Sequence, residues 1–190
     1  MLEVRNGWEV AVRYPSEPVL DANAVVDISH MSAIELSGPD TDVLLQSQFG
    51  RDVPVRSIKR NRDLIMAYRL TADRAIIFAQ SAGLSIDAAV DVTGGWSSLA
   101  LYGPDARAIL NKITAVDLRD ETLPVYHCCQ GPIFGVSTLF GRLESHYALH
   151  VCPDTAEFLW EVILDAGREF SLKPAGLEWA SKHFDRNAKA

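Results

Sequence analysis

The first residue of this chain whose type suits chemistry near neutral pH is His30, which stands beside Met31 in Asp27-Ile28-Ser29-His30-Met31. An imidazole titrates in the physiological range and serves as acid, base or ligand contact, although an isolated histidine is more often structural. A second set comprises Glu144, His146, His150 and Cys152, which share one parity, opposite to Leu143, Tyr147, Leu149 and Val151. In a strand the apolar set belongs in the core, and the other set has the residue types of a metal site. Same-face neighbours in a strand lie about 6.6 Å apart, so His146 and His150 stand at about twice that spacing, too far to share one zinc ion. A third set is basic: Arg51, Arg56, Lys59, Arg60 and Arg62 crowd into twelve residues. The bidentate geometry of arginine suits an anionic partner or a ligand carboxylate, and the same run also reads as a solvated loop.

Composition narrows the classes of function. The 190 residues are 48% hydrophobic and carry a net charge of −7. A chain of this size buries a full core as one folded domain. The acidic balance argues against a binder of phosphate backbones, which needs clustered Lys and Arg facing the ligand. No window approaches the roughly 18 uninterrupted apolar residues of a membrane span, and Met1-Leu2-Glu3-Val4-Arg5-Asn6 lacks the pattern of a signal peptide. The expected location is therefore the cytoplasm. Three cysteines, with Cys128 and Cys129 adjacent, form no disulfide framework and are consistent with a reducing compartment. There is no nucleophile elbow, phosphate loop, dinucleotide fingerprint, HExxH or CxxC pair.

The elements that must hold these residues follow from a repeat. Ser32 to Leu45 and Ser97 to Leu110, offset by 65 residues, each alternate for about five positions, break at Gly-Pro-Asp (Gly38-Pro39-Asp40 and Gly103-Pro104-Asp105), and continue at helical spacing. Each reads as strand, tight turn, helix, with proline at the first helical position and aspartate at the positive end of the helix dipole. Residues 63–70 and Arg74 to Ala79 predict an antiparallel pair joined through Thr71-Ala72-Asp73, and Ile133 to Phe140 with His146 to Val151 predict another. Gly7 to Pro15 reads as a short strand or extended arm, and Ala115 to Pro132 as the least regular stretch. Asp154 is expected to cap a helix ending at Gly167, whose apolar stripe is Phe158, Leu159, Val162, Ile163 and Ala166. The expected fold is α+β: internally duplicated strand-turn-helix units forming antiparallel or mixed sheets covered by helices. The expected organisation is one domain over residues 1–190, with pseudo-repeats at about 25–90 and 91–180.

These landmarks also occur together in a known family. Gly7-Trp8-Glu9-Val10-Ala11-Val12-Arg13-Tyr14, Asp27-Ile28-Ser29-His30-Met31, the two strands with their Gly-Pro-Asp turns, Asp63-Leu64-Ile65-Met66-Ala67-Tyr68-Arg69-Leu70 and Lys173-Pro174-Ala175-Gly176-Leu177 resemble, in order, the folate-binding domain of the aminomethyltransferase family. That family includes the glycine cleavage system T-protein. The resemblance implies a fold of duplicated β-α units around a tetrahydrofolate site, where an acidic residue assists transfer of a one-carbon unit from an amine to the folate. Carried over residue by residue, Asp63 is the candidate catalytic carboxylate, and His30, Met31, Tyr68 and Glu144 belong to the folate cleft.

Departures from the family pattern matter as much. Where the family has a glycine pair and two adjacent carboxylates, this chain has Ile58-Lys59-Arg60-Asn61-Arg62-Asp63, leaving Asp63 alone. The glycine-rich loop after the strand arginine is shortened to Arg142-Leu143-Glu144-Ser145-His146, and Trp179-Ala180-Ser181 replaces the usual Ala-Arg-Asp. In length and in these losses the chain is similar to the gamma subunit of heterotetrameric sarcosine oxidase, a mainly structural component of a flavoenzyme complex that oxidises N-methyl amino acids. That likeness implies larger flavoprotein partners, with flavin and NAD on the partner subunits only. A stand-alone tetrahydrofolate-binding protein or one-carbon transferase is the other reading, and it predicts a deep pocket between the two repeat halves.

Overall fold

The computed structural model describes residues 1–50, 52–61, 65–80, 86 and 88–187, with side chains described as far as residue 182. Its elements in chain order are β1 (Leu2–Arg5), β2 (Trp8–Ala11), β3 (Ala24–Asp27), β4 (Ser32–Ser37), α1 (Thr41–Phe49), β5 (Ile58–Arg60), β6 (Met66–Thr71), β7 (Arg74–Ala79), β8 (Val90–Asp91), β9 (Ser97–Tyr102), α2 (Ala106–Asn111), β10 (His127–Ile133), β11 (Val136–Arg142), β12 (His146–Val151), α3 (Ala156–Ala166), β13 (Lys173–Pro174) and α4 (Leu177–Asn187). The fold is mixed α+β, as the sequence predicts.

Two sheets share one wiring. The first runs β5-β6-β7-β4-β8 and the second β10-β11-β12-β9-β3-β13. In each, the strand that leads into Gly-Pro-Asp (β4 or β9) lies antiparallel to the last strand of a three-stranded meander (β7 or β12). The flanking strands are crossed relative to the chain: β3, from the N-terminal part, pairs with β9, and β8 pairs with β4. A separate hairpin, β1-β2, lies outside both sheets.

The sheets face one another, and helices cover their outer sides. On one outer side, Ile34, Leu36, Ala67 and Ile77 of the first sheet pack with Leu45 of α1. On the other, Leu99, Leu101, Phe140, Leu149 and Val151 of the second sheet pack with Ile109 and Leu110 of α2 and with Leu159 and Ile163 of α3. Each of these large aliphatic side chains contributes about 1.5–3 kcal/mol on full burial. Between the sheets lie Met31, Tyr68, Phe78, Leu139 and Ala148. The sheets approach closely because residue 141 is glycine: a Cβ there would fall 2.5 Å from Cε1 of Tyr68. Beyond this contact α4 takes over the inner face of the second sheet, packing Trp179 and Ala180 on Ala100 and Tyr102.

Several local expectations are corrected. Pro39 and Pro104 precede the N-cap residues Asp40 and Asp105 instead of opening the helices, and neither aspartate makes a side-chain cap bond. Thr41 Oγ1 donates instead to the carbonyls of Gly38 (2.8 Å) and Asp73 (3.0 Å), tying the first turn to the β6–β7 hairpin. Asp154 caps nothing: Pro153–Thr155 form a 3₁₀ turn, and α3 follows a Thr155 N-cap without a side-chain bond. Phe158, placed on the buried stripe by periodicity, is 48% exposed. The strand expected over Ile133 to Phe140 is broken by a tight turn with positive φ at Phe134 and Gly135, so Ile133 closes β10 and Val136 opens β11.

Candidate functional site

The site grows out of the crossover between the sheets. β3 belongs to the second sheet and β4 to the first, so the chain must turn at Ser29 and His30. Asp27 Oδ1 accepts from the Ser29 backbone N–H (2.9 Å), Ser29 Oγ accepts from the Ser98 N–H (3.0 Å), and Asn6 Nδ2 donates to the His30 carbonyl (2.6 Å). This pinned turn buries His30 to 7% exposure. Its Nδ1 is buried with no hydrogen-bond partner among the described residues. Burial, and then the Arg5 guanidinium, hold the His30 pKa below the ordinary histidine value against a smaller opposite pull from Asp27.

His30 lines a cavity of about 250 Å³ at the seam of the two sheets. Met31, Met66, Tyr102, His146 and Ala180 form its buried floor, while Arg5, Arg60, Gln80 and Ser181 stand exposed around it. His146 lies tilted against Tyr102, with ring centroids 4.6 Å apart. Three otherwise distant parts of the chain close the cavity: the β1-β2 hairpin through Arg5, the end of β5 through Arg60, and α4 through Leu177, Ala180 and Ser181. The lining contains two guanidinium groups and two imidazoles but no carboxylate among the described residues.

Of the residues carried over by resemblance, His30 and Met31 meet in this cavity. Tyr68 and Glu144 do not line it. Tyr68 sits on β6 between the sheets, edge-on to Phe78 (5.3 Å between centroids) and to His150 (5.0 Å). Its hydroxyl is buried without a partner among the described residues, and burial pushes its pKa up. Glu144 lies in the β11–β12 turn and lines a separate polar depression of about 270 Å³ with Arg107, Asp120 and Arg142. Asp120 there accepts from Nη1 of Arg107 (3.1 Å) and from Nη1 of Arg142 (2.5 Å). His146 belongs to the walls of both hollows. Asp63 lies outside the described residues; the segment containing it joins Arg60 to Met66, both of which line the seam cavity.

The histidines read as a metal-type set have other surroundings. His150 Nδ1 bonds Ser98 Oγ (2.7 Å) and its ring stacks on Phe78 at 4.0 Å, whereas His146 Nδ1 bonds Ser145 Oγ (2.9 Å). Sequence reasoning missed Arg5 and Tyr102 as lining residues. Arg60 had a signal, the basic run, but nothing in it singles out one arginine of four.

The position of Tyr68 gives a first prediction. Replacing Tyr68 with phenylalanine removes a buried hydroxyl that no described group satisfies, so urea unfolding is expected to show a gain of about 1 kcal/mol. Ligand affinity at the seam cavity is expected to stay unchanged, as titration of the variant with tetrahydrofolate would show; a large loss of affinity would return Tyr68 to the site.

Comparison with known proteins places this geometry. Residues 51–183 match the family described as the GCVT N-terminal domain. The chain is 27% identical over 205 residues to an aminomethyltransferase of Streptomyces avermitilis, a match covering 90% of this chain and 55% of that protein. It is 28% identical over 206 residues to an aminomethyltransferase of Moorella thermoacetica, covering 90% and 56%. The chain thus spans a little over half the length of these relatives. Among solved structures it resembles the glycine cleavage system aminomethyltransferase T of Bartonella henselae (TM-score 0.70, 18% identity, 94% of this chain and 56% of that chain). It also resembles a chain of the heterotetrameric sarcosine oxidase from Corynebacterium sp. U-96, determined in complex with pyrrole 2-carboxylate (TM-score 0.69, 18% identity, 85% of this chain and 89% of that chain).

Proposed function

Because the chain belongs to the GCVT N-terminal domain family, we propose that it is a gamma-type subunit of a heteromeric, sarcosine oxidase-like flavoenzyme that oxidatively demethylates N-methyl amino acids with tetrahydrofolate as one-carbon acceptor. In this reading its own part is mainly structural and non-catalytic, flavin and NAD reside on larger partner subunits, and the complex is cytoplasmic. The observation that supports this reading is the fold likeness to a chain of the heterotetrameric sarcosine oxidase, at a TM-score of 0.69 over 85% of this chain. Among the described residues no helix is long and apolar enough to cross a membrane. Residues 1–190 are read as a single folate-binding-like domain of two pseudo-equivalent halves, at about 25–90 and 91–180, which exchange β3 and β8 across their boundary.

The seam cavity favours the second reading, a tetrahydrofolate-binding protein or aminomethyltransferase-like one-carbon transferase. Met31, Met66 and Tyr102 offer a planar ring an apolar floor, and His30 and the exposed Arg5 and Arg60 line the same space as polar groups, a combination typical of small-molecule sites. These residues fit one end of a tetrahydrofolate, with His30 and Met31 as the holding pair. Bound there, the folate would supply the nitrogens that accept a one-carbon unit, and Asp63 is the candidate to assist.

A calorimetric titration of the isolated chain with tetrahydrofolate separates the two readings. The structural-subunit reading predicts no saturable heat, together with purification from the host in a complex whose larger subunits carry flavin absorbance. Saturable micromolar binding by a chain purified alone, lost in Asp63→Asn, would overturn it in favour of the transferase.

A further inference from the structure

We propose that β1 is the docking edge for a second copy of this chain, the two β1 strands pairing antiparallel about a two-fold axis at Val4 so that two hairpins become one four-stranded ribbon. This goes beyond both readings above and needs neither of them, because no ligand takes part in it.

The hairpin supplies the edge. β1 pairs with β2 in a register running from Leu2 opposite Ala11 to Arg5 opposite Trp8, closed by Asn6 and Gly7 at φ of +49° and +81°. In a two-residue hairpin the residues flanking the turn exchange backbone hydrogen bonds, and the ladder alternates from there. Arg5 and Glu3 therefore turn their N–H and C=O groups toward β2, and the bond from the Val12 N–H to the Met1 carbonyl at 2.9 Å keeps the same phase. Leu2 and Val4 turn theirs outward, where no strand among the described residues meets them. All four residues of β1 are exposed, Leu2 to 60% and Val4 to 73%. An open edge that carries two exposed aliphatic side chains is a template for another strand.

The residues of the edge select the strand that fits. Antiparallel partners must bring outward-turned residues opposite one another, which leaves a second β1 few registers. Centring the pair on Glu3 or on Arg5 sets like charges face to face, which is destabilising. Centring it on Val4 sets Glu3 of each copy opposite Arg5 of the other, and no other register joins these opposite charges. Those two crossings fall at the closely spaced, non-hydrogen-bonded positions of the ladder, where side chains interact most. On the opposite face the same register brings Leu2 of each copy diagonal to Val4 of the other, covering side chains that the single chain leaves in water. Within one chain Glu3 and Arg5 already form an exposed ion pair at 3.0 Å; the dimer exchanges it for two such pairs across the axis. The contact is isologous and closes on itself, so it gives a dimer and not a fibre. Four residues a side bury much less than a standard interface, so half-dimerisation is expected at a concentration on the order of 100 µM.

Sedimentation velocity on the full chain, over a series from about 10 µM to 1 mM, reads this association, which should weaken at high salt as the exposed charges are screened. Glu3→Arg alone, or Arg5→Glu alone, sets like charges together at both crossings and is expected to weaken self-association by about tenfold or more. An equimolar mixture of these two variants is expected to associate as tightly as the parent, because opposite charges then meet at both crossings. Val4→Pro removes an outward N–H at the axis and is expected to abolish pairing. Circular dichroism would verify that each variant is folded. A parent chain that stays monomeric throughout the series, which would leave the edge to a strand of another protein, would overturn the proposal. So would self-association that all three variants leave unchanged, or a mixture that associates no more tightly than its components.

Discussion

Gly103→Ala is expected to lower the folding free energy by about 4 kcal/mol, and Gly38→Ala by about 2 kcal/mol, although the two glycines occupy the same place in the repeat. Both have φ in the left-handed half of the map, +111° at Gly103 and +117° at Gly38, so either alanine carries backbone strain. Their surroundings differ. A Cβ on Gly38 would meet nothing within 4 Å, while one on Gly103 would lie 2.6 Å from Cα of Asn23 and 3.0 Å from the Ala22 carbonyl oxygen. Asn23 cannot yield cheaply. Its Nδ2 donates to Asp105 Oδ2 and to the Phe170 carbonyl, both at 2.9 Å, and its Oδ1 accepts from the Asp105 N–H at 3.0 Å. It thereby ties the start of β3, the second Gly-Pro-Asp turn and the segment after α3 into one knot. Urea unfolding followed by tryptophan fluorescence would measure the difference. Equal costs at the two sites would mean that strain alone governs both turns and that the Asn23 knot relaxes.

Acidification is the second large effect. His150 is fully buried, stacked on Phe78 and edge-on to Tyr68 and Trp96, with Nδ1 bonded to Ser98 Oγ and Nε2 without a partner among the described residues. Burial, helped by the neighbouring His146, lowers its pKa from 6.5 to about 3. The unfolded chain therefore takes up this proton near pH 6.5, and the native protein refuses it until about pH 3. Between those values the unfolded state binds more protons, so stability rises with pH, is fully present above pH 6.5 and is lost as the pH falls. The loss from this one residue is of order 4–5 kcal/mol across the window. His30, shifted in the same direction, adds to it. His150→Gln keeps a partner for Ser98 and removes the titration. It is expected to be less stable than the parent at pH 7, through lost stacking, and to show a much flatter decline between pH 6.5 and 4. Denaturant midpoints measured at several pH values would reveal this. Parallel declines in the two proteins would show that His150 is protonated without difficulty in the native state.

Much of the fold was legible because its signals are local. A Gly-Pro-Asp turn between an alternating run and a helical one needs no distant partner to be recognised, whereas the parity of Tyr147, Leu149 and Val151 marks only one of two buried faces of β12, the other carrying His146, Ala148 and His150. The failures share a cause as well. β1 is four exposed residues whose strand character comes only from pairing with β2. The β10–β11 turn uses a positive φ at Phe134, a residue that carries no turn signal. Phe158 falls on the stripe that periodicity marks as buried, yet it is 48% exposed and takes no part in the cluster that Leu159 and Ile163 of α3 join.

The site was less legible than the fold. The structure places His30 and Met31, both singled out in the sequence, together at a seam that exists only because β3 and β4 belong to different sheets. Tyr68, in line with them by family resemblance, is instead the side chain over which the sheets close, and Glu144 faces a different hollow.

By itself, then, the sequence determined the class of fold, the duplicated turn and the family, because these are written in short-range spacing and in the order of landmarks along the chain. The tertiary structure alone decided which polar groups share a space. Arg5, His30, Arg60, Tyr102 and His146 are spread over more than 140 residues, and they meet because strand exchange and sheet packing carry them to one seam. Convergence of that kind is fixed by long-range pairing and close packing, which leave no periodic trace in a single chain.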